Sequence, residues 1–150
     1  MSQPPVNEEE IVRQLAAEIR ILEGSVTALQ SRLDVVRGAI GEVTLAHDTL
    51  EGLKKLNDGD SVLVPVGAGS YLKMNIGDSK KLIMGVGAGA AIEKDVGSSV
   101  EELNVRLQEL DKARTAIQQQ LDQTLTRYQQ DREALEELLQ RREMAVQKTK

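Results

Sequence analysis

Val64-Pro65-Val66-Gly67-Ala68-Gly69-Ser70-Tyr71-Leu72-Lys73 and Gly85-Val86-Gly87-Ala88-Gly89-Ala90-Ala91-Ile92-Glu93-Lys94 are two versions of one motif, each built on Val-Gly-Ala-Gly. Alternating residues put Val62, Val64 and Val66 on one face of a strand starting at Ser61, and Leu72, Met74 and Ile76 on one face of the next. Gly77-Asp78-Ser79 supplies a turn, after which Leu82, Met84 and Val86 share a face. A fourth strand covers about Ala90 to Lys94. The reading is therefore two β-hairpins, each bent at its Val-Gly-Ala-Gly. Gly85 to Ala90 also satisfies G-x-G-x-x-A, the dinucleotide-binding turn. That chemistry requires a helix directly after the turn, whereas both copies here continue with strand-forming residues. The glycines are read as bulges or sharp bends.

Outward from this block, each flank carries a heptad pattern. Val12, Leu15, Ile19, Leu22, Val26, Leu29, Leu33, Val36, Ile40, Val43, His47 and Leu50 alternate at three- and four-residue spacing, and only His47 is polar. The second flank runs Val100, Leu103, Leu107, Leu110, Arg114, Ile117, Leu121, Thr124, Tyr128, Asp131, Leu135, Leu138, Arg142 and Ala145. Asn7 ahead of Glu8, Glu9 and Glu10 predicts the first helix start, and Ser98 or Ser99 the second cap. Flanks of equal length around a β insert predict an antiparallel pair in which positions summing to about 150 face each other. The expected fold class is α+β, mostly α: a long antiparallel two-helix coiled coil with two β-hairpins, four short strands, between the helices. One domain, 1–150, divides into helix 7–56, hairpins 61–95 and helix 98–147. Interruptions at Thr124, Tyr128 and Asp131 predict a looser outer half.

Composition excludes several functions. With no Cys, Trp or Phe and a net charge of -5, the chain offers no disulfide framework, no thiolate metal site and no basic, aromatic-lined face for nucleic acid. The longest apolar run is too short to cross a bilayer, and no basic or apolar leader starts the chain. The only histidine, His47, lies in the seam near the β insert, so no triad, imidazole-rich metal site or general base with partners is expected around it. Glu8 to Glu10 and Glu136-Glu137 read as helix capping and a solvated face. No catalytic, cofactor-binding or metal-binding residue is expected, nor a cofactor, and the expected setting is a reducing interior, without membrane association.

The two blocks quoted at the outset resemble those of the alpha-class subunit of archaeal prefoldin, and the architecture is similar over the whole chain. The resemblance implies a cytoplasmic, ATP-independent chaperone: a hexamer of two alpha and four beta subunits joined through β-hairpins, capturing unfolded polypeptides and passing them to a group II chaperonin. Assembly is then expected at Val62, Val64, Val66, Gly67, Gly69, Tyr71, Leu72, Met74, Ile76, Leu82, Met84, Val86, Gly87, Gly89 and Ile92. Val6, Ile11, Val12 and Leu15, with Leu135, Leu138, Leu139, Met144 and Val146, exceed what one seam covers at its outer end. They either finish the coiled coil or hold non-native chains, and the resemblance favours the second. The other reading is a structural adaptor whose helices dock one native partner and whose hairpins dimerise.

Overall fold

The computed structural model describes residues 7–148, so Val6 lies outside the described residues. The order is α1 (Glu8–Leu53), β1 (Ser61–Gly67), β2 (Ser70–Asn75), β3 (Lys81–Gly87), β4 (Ala90–Asp95) and α2 (Val96–Lys148). Two compact units are present, one comprising Met1–Arg37 with Ala113–Lys150 and the other Gly38–Lys112.

In the first unit, Asn7 caps α1: its Oδ1 accepts from Glu9 N at 3.4 Å and its carbonyl from Glu10 N at 2.8 Å. Glu8, Glu9 and Glu10 place negative charge at the positive end of the helix dipole. Leu29, Leu33 and Leu121 are buried, and Val26, Ile117 and Leu125 pack against them. The bonds across the helix pair join residues whose numbers sum to roughly 150, as antiparallel packing requires. Arg142 Nη2 donates to Glu9 Oε1 at 3.2 Å, Arg127 Nη2 to Glu18 Oε1 at 2.8 Å and Tyr128 Oη to Glu23 Oε1 at 3.0 Å.

Of the polar seam positions that predict looseness, Tyr128 is bonded across the pair, while Thr124 and Asp131 are bonded within α2. Asp131, 6% exposed, accepts from Arg127 Nε at 3.1 Å. Thr124 turns its hydroxyl back onto the Gln120 carbonyl at 2.7 Å, and neighbouring Leu125 packs on the core in its stead. Arg114 and Ala145 are exposed rather than in the seam.

In the second unit, Ile40, Val43, His47 and Leu50 of α1 are half-buried, and Val100 and Leu103 of α2 are buried. The α-helix α1 closes at Leu53 in tightened turns, Lys55 N to the Gly52 carbonyl and Leu56 N to the Leu53 carbonyl. Both hairpins are antiparallel and separate, β1 with β2 and β3 with β4. Their registers match with an offset of twenty: Val64 faces Leu72 as Met84 faces Ile92, and each register shifts just before the turn. The turn residues have positive φ in both copies, 103°, 48° and 73° at Gly67, Ala68 and Gly69 and 97°, 49° and 74° at Gly87, Ala88 and Gly89. Positive φ at both central positions marks the primed turn that matches strand twist, and it costs the two alanines roughly 1–2 kcal/mol each. A strand, not a helix, follows each turn, which removes the phosphate-cradle geometry.

The second helix starts at Val96, ahead of both serines, and its cap is Asp95. Asp95 Oδ2 accepts from Ser98 N at 3.1 Å, and its carbonyl accepts from Ser98 Oγ at 3.1 Å and Ser99 Oγ at 2.8 Å. A Cβ on Gly97 would lie 3.1 Å from that same Oδ2, so the cap and the glycine fit each other. Asp95→Ala is expected to destabilise the chain by about 1 kcal/mol, lowering the midpoint of urea unfolding. An unchanged midpoint in Asp95→Ala, with a drop in Ser98→Ala, would move the cap to Ser98.

Candidate functional site

Alternation on the hairpins builds an apolar face from cross-strand pairs, Val62 with Met74 and Val64 with Leu72 on the first and Met84 with Ile92 on the second, where Leu82 faces the charged Lys94. Val62, Leu82 and Met84 are half-buried, while Val64, Leu72, Met74, Ile92, Val66 and Val86 are exposed. Gly67 and Gly87 close β1 and β3, and Gly69 and Gly89 complete the turns. Ile76 stands just past β2 and bonds through its backbone to Gly59 and Asp60. A two-stranded sheet leaves both edges unpaired and is marginal by itself. These faces and edges are left open within the chain.

Tyr71 belongs to the opposite face, across from Pro65. Leu63 and Ile83 are also there, and they are among the most exposed apolar residues of the hairpins, at 66% and 77%. Neither stands out in the sequence, because alternation scored on one face treats the residues between as the solvent side. A loop bond ties the entry of the first hairpin to that of the second, with Ser79 N donating to Asp58 Oδ1 at 2.7 Å. That bond holds the Asp58 carboxyl below its usual range.

In the other unit, the end where α1 begins and α2 finishes divides the remaining expected residues into two groups. Ile11, Val12, Leu15, Leu135 and Leu138 are half-buried along the helix pair. Leu139, Met144 and Val146 are exposed. Nearby, Ile19, Tyr128, Leu135 and Leu139 line an open groove together with Glu23, Arg132 and Glu136, and the Arg132 guanidinium lies 5.8 Å from the Tyr128 ring centre. Asp131, and after it Glu18, raise the Arg127 pKa.

The family model for the prefoldin subunit matches residues 22–141. Prefoldin subunit alpha of Methanopyrus kandleri is 36% identical over 118 residues, 77% of this chain and 75% of its own. That of Methanococcus aeolicus is 33% identical over 135 residues, 90% of each chain. The chain belongs to the alpha class of the prefoldin family. A filamentous PFD from Methanocaldococcus jannaschii, solved by cryo-EM, is similar over 83% of this chain and 96% of that one, at 23% identity and a TM-score of 0.48. As an alpha-class prefoldin subunit the chain is a chaperone component and not an enzyme. No helix among its described residues is long and apolar enough to cross a membrane.

Proposed function

We propose that this prefoldin subunit works in the cytoplasm within a hexamer of two alpha and four beta subunits. The hexamer captures non-native polypeptides without ATP and delivers them to a group II chaperonin. The observation that carries the reading is exposed apolar side chains: they concentrate on the hairpins, with Val64, Leu72, Met74, Val86 and Ile92, and Leu139, Met144 and Val146 stand open at the outer end of the helices, with Ile21, Val35, Leu45 and Val105 exposed farther along. Exposed apolar groups at these two places are suited to two tasks, assembly and capture. Burial is non-directional, so surfaces of this kind hold a client without reading its sequence.

Several such ends acting together bind more tightly than one, because each further contact forms at a high effective concentration. The assembled protein is expected to suppress aggregation of several unrelated denatured proteins at near-stoichiometric levels with no nucleotide present. Light scattering on diluted, denatured substrates checks this. Protection of none of them, with tight binding to one native partner, would replace the chaperone by a coiled-coil adaptor.

A further inference from the structure

The seam with α2 is not the only 3-4 pattern on α1. On the opposite side Ala17, Ile21, Gly24, Ala28, Ser31 and Val35 alternate at four- and three-residue spacing, and all of them are exposed. Ile21 and Val35, at 69% and 73%, are more open than Leu139, Met144 or Val146. A sustained 4-3 repeat is what a helix needs to hold a second helix, and small residues between the large ones let the two axes come close. Nothing in the chain asks for glycine at position 24, where a Cβ would meet nothing within 4 Å.

The charges bordering this face select its occupant. Arg20 and Asp34 stand along one side of it, Glu18 and Arg32 along the other. In an antiparallel pair, facing positions keep a constant sum, which Ile21 with Ser31, Gly24 with Ala28 and Ala17 with Val35 all satisfy. Bordering positions of one side meet their own side across an antiparallel seam, so the same alignment sets Arg20 opposite Asp34 and Glu18 opposite Arg32. A slip of one heptad keeps only one kind of opposite pair. Parallel pairing joins Arg13 with Glu18 but turns Arg20, Arg32 and Asp34 toward Ser25, Thr27 and Ala39.

We infer that a second copy of this chain packs antiparallel along the outer face of α1, from Ala17 to Val35, as a two-fold pair. The bonds within the chain allow it. Glu18 uses Oε1 for Arg127, which leaves its other oxygen for Arg32. Asp34 lies 3.8 Å from Arg37, both more than half exposed, and such a pair exchanges readily because exposed ion pairs contribute little. Val35 of the second copy enters the groove that Ala17 borders with Glu10, Arg13 and Gln14. The contact leaves the buried Leu29, Leu33 and Leu121 in place. It uses no hairpin residue, so it is independent of assembly through the hairpins.

Site-directed crosslinking of the full-length chain tests it, since the protein has no cysteine of its own. Thr27 borders the face at the two-fold axis and stands opposite its own copy. Thr27→Cys treated with a short bismaleimide is expected to form covalent dimer about tenfold faster or more than Gln30→Cys, an exposed position off the face. Ile21→Cys mixed with Ser31→Cys should give the mixed link in preference to either chain with itself. In the Thr27→Cys chain, Arg20→Asp should cut the yield about tenfold. Adding Asp34→Arg should restore it, because the facing charges are then opposite again. Circular dichroism should be unchanged, as all these side chains are exposed. Equal linking of Thr27→Cys and Gln30→Cys, preference of Ile21→Cys for itself, or an Arg20→Asp chain that links as before overturns the inference. Val64→Asp tells the two associations apart. It should block assembly with other prefoldin subunits and leave the link at position 27 intact, whereas loss of that link would show that the copies meet only through the hairpins and would overturn the outer contact.

Discussion

Val64→Asp is expected to dissolve the assembly of this subunit with other prefoldin subunits while leaving its helices folded. Val64 sits opposite Leu72 on the apolar face of the first hairpin and is 38% exposed within its own chain. It takes no part in the buried cluster of Leu29, Leu33 and Leu121. Covering that face gains about 1.5 kcal/mol or more per valine, whereas covering an unpaired carboxylate costs several kcal/mol. The swing per contact is on the order of 4 kcal/mol or more, roughly a thousandfold in affinity. Native mass spectrometry at working concentration is expected to show small species only, with unchanged helical circular dichroism. Val86→Asp, in the unpaired step before the second turn, should act in the same direction. An intact hexamer mass for both variants would show that the apolar face is not the joint.

The second large effect concerns the outer end. Removing the residues before Glu18 and after Gln129 deletes Ile11, Val12, Leu15, Leu135, Leu138, Leu139, Met144 and Val146 together with the Arg142–Glu9 bond. It keeps Leu29, Leu33 and Leu121, and it keeps the Arg127–Glu18 bond. The retained helices therefore still have their buried cluster and two polar links, Arg127–Glu18 and Tyr128–Glu23, and the hairpins are untouched. Assembly is expected to survive while protection of a denatured protein against aggregation is lost. If several ends share one client, the loss compounds to between about a hundredfold and ten thousandfold in apparent affinity. A gentler variant, Leu139→Ser with Met144→Ser and Val146→Ser, alters only exposed side chains and should weaken protection without shortening the helices. Full protection by the truncated assembly would place capture away from this end.

Much of this was legible in the residues. The heptad positions of α1 are all half-buried or buried, from Val12 to Leu50, because a 4-3 apolar repeat leaves one way to hide its stripe. The hairpin registers follow from alternation and from turn glycines whose φ only a few residues tolerate. Where the reading missed, a neighbour in space had replaced a neighbour in sequence. Thr124 breaks the apolar repeat when counted by sevens, but Leu125 packs on the core beside it and the threonine bonds backward. Asp131 reads as a flaw in the seam until Arg127 and Glu18 are seen together. The cap fell on Asp95 because the fourth strand ends with a carboxylate already aimed at Ser98 N, and a strand residue is not where a cap is sought.

By itself, the sequence determined the two helices, the antiparallel sense of their pairing, the hairpins and the absence of a phosphate cradle, because each of these follows from local periodicity or turn chemistry. Only the tertiary structure decided which polar seam residues are partnered across the pair, and which apolar residues are left uncovered. Leu63 and Ile83 show the reason. Exposure depends on what the rest of the chain places over a side chain, and no spacing of residues along a strand contains that information.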